Sequence, residues 1–207
     1  MKTVLLALMV VLSVYGTYAQ SPAVATDDAK RNARKLLSET PHRVKMTIEM
    51  RETPDSNWEL YSSQTREVAG RDRWHLIQHT GLKLEIIRIG DRTYQKSPDG
   101  SWQSGGAGSG YTGPTVRTIS KPEIESVVNE RKDGSKVVET TSRSKLQVIR
   151  TGEPVAMDHK TKEWFDETGR LIRVETEHFN FERKKFQRVI EVYEYDPNIR
   201  IEAPIPD

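Results

Sequence analysis

The chain has five histidines and no cysteine, so metal or nucleophile chemistry would have to run through imidazole, hydroxyl or carboxylate. His75 and His79 stand four residues apart. On a helix that spacing would bring both imidazoles to one ion, but Trp74-His75-Leu76-Ile77-Gln78-His79 lies between turn signals and reads as strand, where four residues span roughly 13 Å. His42, His159 and His178 have no ligand partner at diagnostic spacing, and no metal or other cofactor is expected. No serine sits in a nucleophile elbow. Glu49, Glu59, Glu139, Glu163, Glu175 and Glu191 alternate with apolar residues, as a solvated strand face does. The expectation is a protein that is not an enzyme.

Binding chemistry is narrowed in the same way. Trp58, Trp74, Trp102 and Trp164 each adjoin a turn signal, the place of a residue sealing the rim of a core rather than of a base-stacking platform in a basic groove. The glycines at 105, 106, 108, 110 and 113 precede no GKS or GKT ending, which discards phosphate binding of the P-loop kind. That segment, 104–114, is expected to be a mobile surface loop or a gate.

The first residues imply export. Lys2 gives a short positive region, Val4 to Val14 is apolar apart from Ser13, and Thr17-Tyr18-Ala19 offers small residues for cleavage before Gln20. The apolar run is too short to span a bilayer as a helix, which takes roughly 20 residues. With no cysteine at the cleavage point, no lipid anchor is expected. Residues 1–19 are thus expected to be a signal peptide and 20–207 one soluble domain, periplasmic or secreted and held together without disulfides. Loss of Lys2 with the leader takes the formal charge from +2 to +1, too little to attract nucleic acid. The whole chain is 35% hydrophobic, leader included. So sparse an apolar content suits strands with one apolar face, or a shell around a cavity, better than a filled two-sided core.

The elements that must position these residues follow from periodicity. Thr26 or Asp27 is placed to cap a helix with Ala29, Ala33, Leu36 and Leu37 on one stripe, ended by Pro41. Val44, Met46, Ile48 and Met50 then alternate with charged and polar residues, the signature of a half-buried strand. A meander follows through strands near 58–68, 73–80, 82–89 and 92–96 to Trp102. Ser120-Lys121-Pro122-Glu123 reads as a capping box with Ile119 and Ile124 as its staple. It predicts a helix from Lys121 to Arg131 with Ile124, Val127 and Val128 on its apolar face, stopped by Asp133-Gly134. Strands return over 136–150, 155–159, 162–165, 170–178 and 184–195, and Ile199-Arg200-Ile201 follows a last turn. The expected class is α+β: a curved antiparallel sheet with an N-terminal helix and an inserted helix.

This order of elements resembles the lipoprotein-carrier superfamily, whose members include LolA, LolB, LppX and LprG. The resemblance rests on a helix after the leader, then Arg88-Ile89-Gly90-Asp91-Arg92-Thr93-Tyr94 followed by Pro98-Asp99-Gly100-Ser101-Trp102. A lid-like helix and the ending Glu191-Val192-Tyr193-Glu194-Tyr195 with Ile199 to Pro204 complete it. It implies an incomplete β-barrel whose apolar face holds acyl chains. The matching positions are Val44, Met46, Ile48 and Met50 on the sheet and Ile124, Val127 and Val128 on the lid. The implied function is a periplasmic carrier or binding protein for a lipid, a lipoprotein acyl chain or another apolar molecule, with a membrane-bound donor or acceptor as a further partner. An envelope sensor or protein-interaction module on the same fold is the alternative.

Overall fold

The computed structural model describes residues 22–80, 83–106, 116–118, 123–148, 154–180 and 183–205. The expected leader, residues 107–114 of the expected glycine-rich loop, and Ile119 to Pro122 of the expected cap and staple lie outside them, while residues 104–106 of that loop are strand, paired with Arg92 to Tyr94. Among the described residues there are one helix and twelve strands.

Helix α1 (Pro22–Glu39) opens on a proline, whose missing N–H costs nothing in a first turn, and ends just ahead of Pro41, which disfavours helical geometry in the residue before it. It begins upstream of the expected cap, because Pro22 and the helix-forming Ala23 and Ala25 start it before Thr26 or Asp27 can.

Six strands form a first meander: β1 (His42–Arg51), β2 (Glu59–Val68), β3 (Arg73–Gln78), β4 (Leu84–Ile89), β5 (Arg92–Lys96) and β6 (Trp102–Gly106). The second set is β7 (Val116–Thr118), β8 (Glu123–Glu130), β9 (Lys136–Val148), β10 (Pro154–Phe165), β11 (Leu171–Asn180) and β12 (Lys185–Tyr195). Residues 155–159 and 162–165, expected as two strands, are one, since Lys160 and Thr161 continue the ladder to β11. The two sets are joined where β1 meets β12, from His42 opposite Tyr195 to Arg51 opposite Phe186. Strand order is β6-β5-β4-β3-β2-β1-β12-β11-β10-β9-β7, with β8 also on β9. The sheet is antiparallel and not closed.

Each face of the sheet carries its own small core. On one face Ala33 of α1 is buried with Val138, Phe165 and Leu171, flanked by Leu37, Val128, Val174 and Tyr193. Lys30 anchors the helix there by an ion pair with Glu163 at 2.9 Å. The opposite face buries Ile87 and Tyr94 beneath Ile199 and Ile201, with Trp102 and Ile89 alongside. The segment carrying Ile199 and Ile201 joins no ladder: it covers the sheet rather than extending it.

Within the stretch Lys121 to Arg131, expected as a lid helix, the described residues form a strand instead. Residues Glu123 to Glu130 are β8, paired with β9 from Glu123 opposite Arg143 to Glu130 opposite Lys136. Asp133-Gly134-Ser135 is a hairpin turn of the same chemistry as Asp99-Gly100-Ser101. In the first, the aspartate Oδ1 accepts from the serine N–H and hydroxyl at 3.0 and 2.6 Å; in the second, at 2.9 and 2.7 Å. Gly134 (φ 82°) and Gly100 (φ 88°) take the left-handed backbone conformation that closes each turn. Ile124, Val127 and Val128 are β-branched, and a ladder on β9, with Val128 opposite Val138, offers them more than an eleven-residue helix that is marginal alone. Among the described residues no helix is long and apolar enough to cross a membrane.

Candidate binding face

Tyr193 belongs to the core under α1 and pairs with Val44, so the alternation of a strand puts Val44, Met46, Ile48 and Met50 on the helix side of the sheet. Val44 and Met50 are buried, at 1% and 7% exposure, while Met46 and Ile48 are partly open. Their neighbours on this face are mixed. Arg66, Gln64 and Ser62 stand opposite them on β2, and Tyr193, Glu191 and Val189 on β12. The Gln64 amide reaches the Met46 sulfur at 3.2 Å.

The three residues expected on a lid are separated by the strand. Val128 joins the core beneath α1; Ile124 shares that face but is 63% exposed, and Val127, 57% exposed, points to the other side. They do not form one apolar surface.

Three recesses are lined by described residues. A groove of about 370 Å³ lies between the C-terminal half of α1 and strands β1 to β3 and β12, with Arg34, Leu37, His42, Arg66, Val68 and Trp74 among its walls. An open cleft of about 820 Å³ sits by β3 to β6, lined by Ile77, His79, Leu84, Gln95, Lys96 and Gln103 among others. A hollow of about 330 Å³ is bounded by Met50, Leu60, Tyr61 and Arg183. Of the seven expected site residues, Met50 alone lines one of these three.

Polar groups on the helix-side face are tuned by burial. His42 Nδ1–H donates to the Thr40 carbonyl, 2.9 Å away; burial holds its imidazole below the usual range against that bond, and the Arg66 charge adds to the lowering. The Tyr193 hydroxyl donates to Glu191 at 2.9 Å, and burial, then the Glu191 charge, pushes its ionisation well above the ordinary phenol range. His159 and His178 meet across β10 and β11.

The opposite face is a ribbon of ion pairs. Lys45 reaches Glu194 at 2.6 Å, Arg43 reaches Glu67 at 2.6 Å, His75 Nε2 lies 3.0 Å from Glu85, and Lys96 lies 2.9 Å from the same carboxylate. Burial raises Glu85, but hydrogen bonds from Lys96 and His75 outweigh it and leave the carboxyl below its usual range. Trp58 is stacked between the guanidinium groups of Arg51 and Arg188, at 4.2 and 4.6 Å from its ring centre. His75 and His79 have separate partners, since His79 Nε2 is 2.8 Å from the Thr65 hydroxyl.

No family model and no protein of curated function matches the sequence. In structure the chain is similar to a LolA superfamily protein from Nitrosomonas europaea, at 12% identity and TM-score 0.35, over 81% of this chain and 90% of that one. It is also similar to a DUF1329 family protein from Desulfovibrio piger, at 8% identity and TM-score 0.34, over 87% and 96% of the two chains.

What the sequence concealed is register. The histidine pair and the groove join residues from separate strands and α1, and no local spacing announces them. The alternation Val44-Met46-Ile48-Met50 is the local signal on the same face.

Proposed function

We propose that the chain is an exported carrier or binding protein, without catalysis of its own, for a lipid, a lipoprotein acyl chain or another apolar molecule. Residues 1–19 act as its signal peptide, 20–207 form one incomplete-barrel domain, and it works in the periplasm or outside the cell, trading cargo with a membrane-bound donor or acceptor. The supporting observation is the uneven cover of the helix-side face. Helix α1 shields the core around Val138 and Phe165, whereas Met46, Ile48, Leu76, Ile86 and Val189 on the same face are only partly buried. Apolar side chains left partly open on a protected face suit an apolar ligand. Val44 and Met50 shape the floor of that surface, and Val128 belongs to the core that α1 covers beside it.

Native mass spectrometry of protein purified from its own host, with extraction of bound lipid, tests this reading. Co-purifying lipid, or binding of fluorescent fatty acids, is the expected result; protein that is ligand-free and binds none overturns it. Leu60 and Tyr61, 60% and 45% exposed on β2, favour a second reading in which the same fold docks a partner protein.

A further inference from the structure

Three arginines on the ion-pair face are neutralised, Arg43 by Glu67, Arg188 by Glu49 and Arg173 by Glu175, while Arg51 there stacks on Trp58. The groove beside α1 differs. Arg34 and Arg66 both line it, with Leu37, Val68 and Trp74 as apolar walls, and among the described residues neither arginine has an ion-pair partner. The carboxylate of Glu191 lies on β12, with β1 between it and the strand of Arg66, and it accepts the Tyr193 hydroxyl. Two unpaired guanidinium groups over an apolar recess are suited to an anion that carries a hydrocarbon part, because each can present parallel N–H donors to a carboxylate or phosphate. His42 lines the groove at one end of β1, and Met46 and Ile48 follow on the same face, roughly 13 and 20 Å along the strand.

We propose that this groove seats the anionic head group, a carboxylate or a phosphate, of an amphiphile whose apolar tail runs along β1 toward Met46 and Ile48. This rests on the carrier reading and names its cargo class. The C-terminal carbonyls of α1 oppose an anion, but the effect of a helix end is confined to its last turn, and Arg34 lies one turn further in. Both arginine side chains are solvent-exposed, so replacing them leaves the core intact.

The test is calorimetric titration of the chain with decanoate, with the uncharged decanol, and with acetate and inorganic phosphate as tail-free anions. It uses the wild type, the double variant Arg34→Gln with Arg66→Gln, and the control Arg31→Gln, circular dichroism verifying the fold of each. The wild type and the control should bind decanoate about tenfold more tightly than decanol, the margin of a charged hydrogen bond. The double variant should lose that margin and keep its affinity for decanol. Equal binding of decanoate and decanol by the wild type, or an undiminished margin in the double variant, overturns the head-group proposal and leaves the carrier reading standing. Acetate or phosphate binding as tightly as decanoate overturns it in favour of a free-anion site. If neither decanoate nor decanol binds, the carrier reading itself fails and the head-group proposal falls with it.

Discussion

His159 on β10 and His178 on β11 stand side by side across the ladder with their rings nearly parallel, 12° apart in plane and 5.8 Å between centres. Burial lowers the pKa of both, and the charge of His159 lowers His178 further. His42 is lowered as well, chiefly by burial. A histidine with a depressed folded pKa binds its proton first in the unfolded chain, so its neutral form favours the fold above the unfolded value of about 6.5 and that advantage is lost as pH falls through the folded value. Thermal melting should therefore fall as pH drops from 7 toward 5, by at most about 1.4 kcal/mol per pH unit for each histidine. The variant His159→Gln with His178→Gln should flatten this limb. A melting temperature that is level between pH 7 and 5 in the wild type would refute the assignment.

The ion-pair face predicts a separate, more acidic limb. Hydrogen bonds from Lys45 hold Glu194 below its usual range, and those from Lys96 and His75 do so for Glu85 against its burial. A carboxylate with a depressed folded pKa stabilises above its unfolded value, about 4.3, and loses that contribution as pH falls through the folded one. Glu85→Gln should shrink the stability lost below pH 4.5. Screening should make the effect smaller in molar salt. An undiminished loss of stability below pH 4.5 in Glu85→Gln would show that the fold does not draw on this carboxylate.

The core beneath α1 sets the third prediction. Phe165 is 2% exposed and meets Ala33, Val138 and Leu171, so Phe165→Ala should cost about 3–5 kcal/mol in urea unfolding. With so few fully buried side chains elsewhere, a loss of that size is a large share of the 5–15 kcal/mol typical of a domain. A cost below about 1 kcal/mol would mean that α1 is not seated there.

Period-two patterns were readable wherever one face was clearly apolar. The alternation from Val44 to Met50 fixed β1, and the glycine-bearing turns at Gly90, Gly100 and Gly169, each with positive φ, marked the hairpins between later strands. The stretch at 124–128 misled because its apolar residues fit helical spacing and a capping box stood before it. A strand reading leaves Ile124 and Val127 on solvent, which alternation alone does not favour; the deciding partner, Val138, lies beyond the turn. Long-range register, and with it the groove holding Arg34 and Arg66, depends on β1 meeting β12 across the whole length of the domain.

That same stretch gives the last prediction, because strand and helix respond differently to the same changes. As a lid helix, Ile124→Asp and Val128→Asp would both strike one apolar face and Gly134→Ala would merely alter a helix stop. As strand β8, the two aspartates must separate. Ile124 is 63% exposed, so its replacement should cost less than about 1 kcal/mol, whereas Val128 joins the core with Val138 and an unpaired carboxylate there should cost several kcal/mol. Gly134 takes φ 82° in the β8–β9 turn, and a methyl group there would meet only Glu167 Cβ at an ordinary 3.7 Å, so the alanine's cost is backbone strain of about 1–2 kcal/mol. Urea unfolding of the three single variants decides the matter: equal losses from the two aspartates, or a neutral Gly134→Ala, would put this segment back in a helix.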